Sequence, residues 1–169
     1  MENHSERIQL FLGCKSVAVA GISAKPKTGN NIAKKFINAG YTVYPLNPGL
    51  EEWQGLCCYR DLDHLVGSGI TPEAVMIVTR PEISAEIVRA AFRLGIRHIW
   101  MHGMMGINPG FGARLDANLR SVDETAAAEA EKAGVNVIAG SCPMQFIEPV
   151  DPFHKCLKWV NVKAGNLKL

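Results

Sequence analysis

The sequence lacks any apolar run long enough to cross a membrane, and its first six residues are polar and partly acidic. A membrane-spanning helix needs about 20 consecutive apolar residues, and a secretory signal needs a basic start followed by an apolar stretch. We therefore expect neither a transmembrane helix nor a signal peptide, and the sequence predicts no membrane partner.

Aromatic residues and charge of one sign are also scarce. Aromatic side chains make up 7% of the 169 residues, and the formal net charge is +2. Nucleic-acid-binding domains carry a pronounced basic surface, so this composition predicts no nucleic-acid partner.

The five cysteines are an odd number and are scattered through the chain. That usage is typical of a reduced, cytoplasmic protein and not of a disulfide framework.

Short apolar runs alternate with amphipathic stretches along most of the chain. Apolar, β-branched runs predict parallel strands that are buried on both faces, and periodic apolar positions predict the helices between them. The predicted strands are residues 16–21, 41–46, 74–79, 98–102 and 135–139, with an extended piece at 53–59. The predicted helices are residues 6–12, 30–39, 61–66, 80–94, 122–133 and 152–162.

Three of these helices close with glycine directly before a strand, at Gly40, Gly95 and Gly134. This short helix-to-strand connection is typical of parallel α/β proteins. We therefore predict a single α/β domain over residues 1–169, with a doubly wound, mainly parallel, Rossmann-like sheet. Its predicted appendages are a lead-in helix at 1–14, a long loop at 102–120, and a tail with a C-terminal helix at 143–169.

The loop after the first strand has the features of an anion site. Ligands of open α/β sheets bind beyond the carboxyl ends of the strands, and this loop contains Gly21, Lys25 and Lys27 just before a helix. The first N–H groups of a helix have no intrahelical partner and carry partial positive charge. The same rule selects residues 46–48, 79–81, 102–103 and 140–143, so we predict a phosphate-bearing ligand over these strand ends.

Two familiar nucleotide motifs are missing at this position. No Gly-x-Gly-x-x-Gly and no Gly-Lys-Ser/Thr follows the first strand, and the second strand closes on Asn47 where an acidic residue would hold a ribose. A nicotinamide dinucleotide or a Walker-type phosphate loop normally shows these features. Their absence favours an adenine nucleotide that no carboxylate holds.

Four segments together resemble the small stand-alone CoA-binding proteins, which are similar to the nucleotide-binding domain of the succinyl-CoA synthetase α subunit. The segments are Gly21-Ile22-Ser23 with Pro26, Gly40-Tyr41-x-Val43-Tyr44-Pro45-x-Asn47-Pro48, Gly55-x-x-Cys58-Tyr59-x-x-Leu62, and Arg80-Pro81. The resemblance extends over roughly residues 16–142. It implies that coenzyme A or an acyl-CoA lies over the strand ends as the cofactor.

The resemblance also implies which residues bind. The first loop would meet the phosphates through Gly21, Ser23, Lys25 and Asn30. The residues that would flank the adenosine 3′-phosphate moiety are Asn47, Pro48, Thr79, Arg80 and Pro81. The predicted binding set is completed by Ile22, Gly29, His102 and Gly103. The synthetase's catalytic phosphohistidine belongs to a second domain that this sequence does not show, so a ligase reaction is not implied.

The expected role is that of a CoA carrier, sensor or accessory subunit, with no catalytic residue and no metal site assigned. Two alternatives stay open. One is an enzyme of acyl-CoA or NAD(P) chemistry that uses Cys142 and His102. The other is an interaction module whose tail helix forms a homodimer or protein-partner interface through Phe146, Phe153, Leu157, Trp159 and Val160.

Overall fold

A five-stranded parallel sheet forms the centre of the molecule in the computed structural model, which describes residues 4–104 and 120–165. The strand order is β2-β1-β5-β6-β7. These strands are β1 (Ser16–Ala20), β2 (Thr42–Leu46), β5 (Ala74–Ile77), β6 (His98–His102) and β7 (Asn136–Ser141). All four neighbouring pairs are parallel, which confirms the predicted fold class.

Six α-helices accompany the sheet within the described residues. They are α1 (His4–Leu12), α2 (Thr28–Asn38), α3 (Leu62–Gly67), α4 (Pro81–Arg93), α5 (Glu124–Lys132) and α6 (Pro152–Lys163). Each lies within a few residues of a helix expected from the sequence. The extended piece expected at 53–59 is instead an antiparallel pair, β3 (Glu52–Trp53) and β4 (Leu56–Cys57), which turns through Gln54 and Gly55 at positive φ.

Both faces of the sheet are buried, because successive side chains of each strand point to opposite sides. On β1, Val17 and Val19 pack with α1 and α2, whereas Ala18 and Ala20 pack with the layer formed by α3, α4 and α5. All four side chains are at most 3% exposed. In α1 the buried residues are Ile8 and Phe11, whereas Leu10 is 47% exposed.

The strand order reverses at β1, since β2 lies on one side of it and β5 on the other. In open α/β sheets this switch point opens a crevice beyond the carboxyl ends of the two central strands. The loops that follow β1 and β5 therefore border the crevice, which is where the sequence places its candidate residues.

The C-terminal helix is present, and its start follows the expected chemistry. The Asp151 side chain accepts a hydrogen bond from the backbone N–H of His154, and Pro152 occupies the first turn, as capping preferences predict. The buried side chain of this helix is Asn161, whose Nδ2 donates to the Met104 carbonyl at 3.3 Å.

Most of the long loop predicted at 102–120 lies outside the described residues. No described helix is long and apolar enough to cross a bilayer.

Candidate functional site

The loop after β1 lies in close contact with β5 and with the first turn of α2, and glycine makes both contacts possible. Gly21 has φ +107°, and a Cβ built on it would lie 2.4 Å from the Val78 carbonyl oxygen. A Cβ on Gly29 would lie 2.3 Å from the Gly21 carbonyl oxygen. Real Cβ contacts of this length essentially do not occur. The backbones of β1, β5 and α2 therefore approach as closely as they do only because both positions are glycine.

The buried side chain of Asn30 closes the same loop from within. Its Oδ1 accepts from the Ser23 N–H at 3.0 Å, and its Nδ2 donates to the carbonyls of Ser23 at 2.7 Å and Lys25 at 3.4 Å. The Ser23 hydroxyl in turn accepts from the Lys25 N–H at 3.3 Å. These three residues are therefore tied to one another and fix the shape of the loop.

Asn47 joins the turn after β2 to the loop after β1. Its Nδ2 donates to the Ile22 carbonyl at 2.6 Å, and its Oδ1 accepts from the Gly49 N–H at 2.7 Å. Its own N–H donates to the Tyr59 carbonyl at 2.9 Å. An acidic residue here could not donate to Ile22, so the amide that the sequence shows in place of a carboxylate has a structural role in the crevice wall.

Two helices begin at the crevice without a side-chain cap. The N-cap residue of α2 is Lys27 and that of α4 is Arg80, and neither side chain bonds the first N–H groups of its helix. The turn before α4 is held by the buried Ser84 hydroxyl, which bonds Thr79 Oγ1 at 3.0 Å and the Arg80 carbonyl at 3.1 Å. Both helices therefore start with N–H groups that can donate hydrogen bonds to an anion.

Two cavities meet at the ridge formed by Gly21 and Thr79, which contribute to the lining of both. The first, the β1–β2 cavity, has a volume of about 1060 Å³, and its wall includes Ile22, Leu46, Asn47, Pro48, Leu62, Ile83 and Ile87. The second, the β6–β7 cavity, has a volume of about 840 Å³, and its wall includes Lys27, Gly29, Arg80, Pro81, His102, Met104, Arg120, Ser121, Cys142, Met144 and His154. Both have the size of small-molecule sites.

The cations on the two cavity walls differ in how they are compensated. In the β1–β2 cavity, each arginine is paired with an acidic side chain, Arg60 with Asp61, Arg93 with Asp63 and Arg89 with Glu129. In the β6–β7 cavity, Lys27 and Arg80 form no ion pair with any described residue. The uncompensated positive charge is thus concentrated on the ridge, beside the two open helix ends.

His102 and Cys142, the pair considered for catalysis, both line the β6–β7 cavity and are each 4% exposed. Burial raises the pKa of the Cys142 thiol to about 12. The thiol is therefore protonated at neutral pH, and a protonated thiol is a poor nucleophile. Among the described residues, no group of three His, Cys, Asp or Glu side chains is arranged to hold a metal ion.

The structure brings together most of the predicted site residues and sets a few apart. The residues that line one or both cavities are Gly21, Ile22, Gly29, Asn47, Pro48, Thr79, Arg80, Pro81 and His102. Ser23, Lys25 and Asn30 form the braced loop beside them. Gly103 packs against β7, where a Cβ would lie 2.6 Å from Gly140 Cα.

Other lining residues were not part of the predicted site. They include Thr28, Met104, Arg120, Ser121, Met144 and His154. Thr28 is a polar residue beside a predicted helix start, which is a signal that the sequence carries. Arg120 lies 18 positions after His102, the last residue of β6, so no local signal places it at the cavity. Met144 and His154 come from the tail: Met144 lies three positions after Ser141, the last residue of β7, and His154 belongs to the first turn of α6.

The sequence profile of the CoA binding domain matches residues 15–147. The chain belongs to the CoA-binding domain family. The matched residues contain β1 to β7 and therefore both walls of the crevice. A search of proteins with curated functions found no match.

Solved structures of several other proteins share the fold of this CoA-binding domain. A hypothetical protein from Pyrococcus horikoshii OT3 is 25% identical, with a TM-score of 0.69 over 88% of this chain and 92% of the other. A conserved hypothetical protein from Pyrococcus furiosus is 27% identical, with a TM-score of 0.60 over 76% and 95%. The dinucleotide-forming acetyl-coenzyme A synthetase 1 from Ca. Korarchaeum cryptofilum is 22% identical, with a TM-score of 0.57 over 75% of this chain and 26% of the other. At that identity the likeness to the synthetase shows the fold alone.

Proposed function

We propose that this protein binds coenzyme A or an acyl-CoA across the ridge between the two cavities, as a carrier, sensor or accessory subunit without chemistry of its own. The observation that carries the proposal is the pair of uncapped helix starts, α2 and α4, which border the Gly21–Thr79 ridge. The family supplies the class of ligand, and the open helix ends supply a place for its diphosphate.

The diphosphate is the part of the ligand that the ridge suits best. The N–H groups that begin α2 and α4 are free of side-chain caps, and the cations of Lys27 and Arg80 stand beside them without ion pairs among the described residues. An anion near a helix N-terminus gains about 0.3–1 kcal/mol from the dipole, and a hydrogen bond to a charged group gains about 1.5–3 kcal/mol. Several such contacts suffice for specific binding.

The adenosine end fits the β1–β2 cavity. Its wall includes the apolar side chains of Ile22, Ile83 and Ile87, which suit a flat purine, and the turn at Asn47 and Pro48 borders it. The family resemblance implies the adenosine 3′-phosphate moiety at this turn, which supports the same assignment. The arginines on the cavity rim are paired with carboxylates, and these exposed pairs can exchange a carboxylate for a phosphate at little cost.

The pantetheine arm then enters the β6–β7 cavity. Its wall contains His102 and Cys142 at the ends of the last two strands, with Met104 and Met144 as flexible apolar contacts. The hydrogen bonds among Ser23, Lys25 and Asn30 keep the loop beside the ridge in one conformation. Gly103 has no side chain, which allows β6 and β7 to lie close together at this point.

The test is a binding panel of CoA, acetyl-CoA, NAD, NADP and ATP, read by thermal shift and then by calorimetry. A ligand that binds only the folded state stabilises it in proportion to the logarithm of its concentration over Kd. We expect selective stabilisation by CoA and acetyl-CoA. Equal or greater stabilisation by NAD or NADP would overturn the proposal and favour the oxidoreductase alternative.

The tail helix supports a second, separate proposal, that of an interface with a second copy or another protein. Phe153 is 64% exposed and Trp159 is 62% exposed on α6, and Val160 is 38% exposed. Aromatic side chains are more frequent at protein–protein interfaces than on the rest of a protein surface. Analytical ultracentrifugation of the wild type and of Trp159→Lys tests this: a dimer that the substitution dissociates supports it, and a monomeric wild type removes the homodimer.

A further inference from the structure

Arg120 is a cation of the β6–β7 cavity that the binding of CoA itself does not use. The residue that follows it, Ser121, donates its backbone N–H to the His102 carbonyl at 2.8 Å. This bond fixes Arg120 at the carboxyl end of β6, and its side chain forms part of the cavity wall. The guanidinium thus lies on the side of the ridge where the pantetheine arm would end.

The guanidinium of Arg120 is only partly bonded. Its Nε is buried and has no hydrogen-bond partner among the described residues. Its Nη2 lies 3.5 Å from Oε1 of Glu124, whose side chain is 81% exposed. A buried donor without a partner is destabilising, and an exposed ion pair of this kind contributes little. The described part of the chain therefore supplies no acceptor for this Nε–H, which leaves it available to a ligand.

The charge on the cavity wall indicates that this acceptor is an anion. The cationic side chains of the wall are Lys27, Arg80 and Arg120, and its one described carboxylate is Glu82. Lys27 and Arg80 lie at the two helix starts, where the diphosphate would bind. Arg120 is the remaining cation of the wall. Because an arginine binds a carboxylate through two parallel hydrogen bonds, a carboxylate is the anion that suits this position.

The spacing of the sheet puts this cation within reach of an acyl group. From β1 to β6 there are two strand intervals, which is about 10 Å. A fully extended pantetheine arm has about as many backbone bonds as four extended residues, so it spans roughly 14 Å. A thioester group that starts from a diphosphate on the ridge therefore reaches the end of β6.

We propose that the β6–β7 cavity selects an acyl-CoA whose acyl chain ends in a carboxylate, and that Arg120 binds that carboxylate. The inference rests on the proposed binding of CoA and names the class of acyl group that this site takes. A neutral acyl chain of the same length would leave the buried Nε–H of Arg120 without an acceptor, so it should bind less tightly.

The experiment compares succinyl-CoA with butyryl-CoA, which have the same number of acyl carbons, by calorimetry on the full chain. In the wild type we expect succinyl-CoA to bind at least about tenfold more tightly, as a charge-assisted pair implies. In Arg120→Gln the ratio of the two Kd values should fall to within about threefold. Arg97→Gln serves as the control, because Arg97 is exposed and lines neither cavity.

Each outcome decides the question. A ratio near one in the wild type, or a ratio that survives in Arg120→Gln, overturns the role of Arg120 while leaving the binding of CoA in place. If the wild type binds neither CoA nor either thioester, the proposed function itself fails. Arg120→Lys, which keeps the charge but loses the planar fork, should retain part of the preference, and it tests the role of Arg120 if Arg120→Gln does not fold.

Discussion

Replacing Gly29 with alanine would push a methyl group into the carbonyl of Gly21, at the point where α2 meets the loop after β1. The new Cβ would lie 2.3 Å from the Gly21 oxygen and 2.8 Å from its carbonyl carbon. Ordinary van der Waals contact for a Cβ begins at 3.4 Å. The loop or the start of α2 must therefore move by about 1 Å, and both neighbours are backbone, which cannot swing aside as a side chain could.

The size of the loss in stability follows from that displacement. Overpacking a tightly packed site destabilises a protein by about 1–3 kcal/mol, which for a domain of this size lowers the melting temperature by roughly 2–12 °C. The N–H groups at the start of α2 would move with the loop. Losing one hydrogen bond to a charged ligand group is worth about 1.5–3 kcal/mol, so the Kd for CoA should rise at least about tenfold.

The assay is calorimetry with CoA at a temperature well below the lowered melting point, together with thermal unfolding of each variant. Gly67→Ala is the matched glycine control, because Gly67 has no atom within 4 Å of the new Cβ and no positive φ. Its stability should stay within about 0.5 kcal/mol of the wild type or rise. Ile8→Val is the control for stability alone, since Ile8 is buried in α1 and lines neither cavity.

Ile8→Val should cost about 0.5–1.5 kcal/mol and leave the affinity for CoA unchanged. The reasoning is refuted if Gly29→Ala binds CoA as tightly as the wild type. It is equally refuted if Ile8→Val weakens binding as much as Gly29→Ala does, because the loss would then reflect stability and not the geometry of the ridge.

The remaining predictions concern the first loop, one helix cap and one buried thiol. Lys27→Gln should raise the Kd for CoA about tenfold, and Lys25→Gln by less than about threefold, because Lys27 lines the β6–β7 cavity and Lys25 lies beside it; calorimetry that finds equal effects contradicts this placement. Asp61→Ala should cost about 1 kcal/mol, because the Asp61 side chain caps α3 by accepting from the His64 N–H at 2.7 Å. That backbone hydrogen bond, more than any other contact, holds the pKa of Asp61 below its usual value. The carboxylate therefore stabilises the fold above the unfolded pKa of about 3.9, and its contribution fades as the pH falls through the folded pKa; urea unfolding should show a smaller difference between wild type and Asp61→Ala at pH 3 than at pH 7. Iodoacetamide should label the exposed thiols of the native protein and reach Cys142 only after unfolding, because burial raises the pKa of that thiol to about 12; mass spectrometry that finds Cys142 alkylated first would contradict its burial.

The order of elements was predictable because each carries a local signal. Strands that are buried on both faces appear as continuous apolar runs, such as residues 74–77, and helices that end at glycine before a strand mark the parallel connections. The cap of α6 at Asp151 likewise depends on neighbours within four residues. The hairpin of β3 and β4 was not predicted as such, because its two-residue strands are too short to show a period.

What the sequence by itself determined is the family of folds, the loop after β1 and the strand ends at which we predict that a ligand binds. Only the tertiary structure decided which polar groups are free. The family resemblance implies that Asn30 contacts a phosphate, but its side chain is hydrogen-bonded to the backbone of its own loop. Arg120 and Lys27 line the same cavity although 93 positions separate them in the chain. Capping and strand formation depend on neighbours in the chain, whereas a hydrogen-bond partner or a cavity wall depends on which distant segments packing brings into contact.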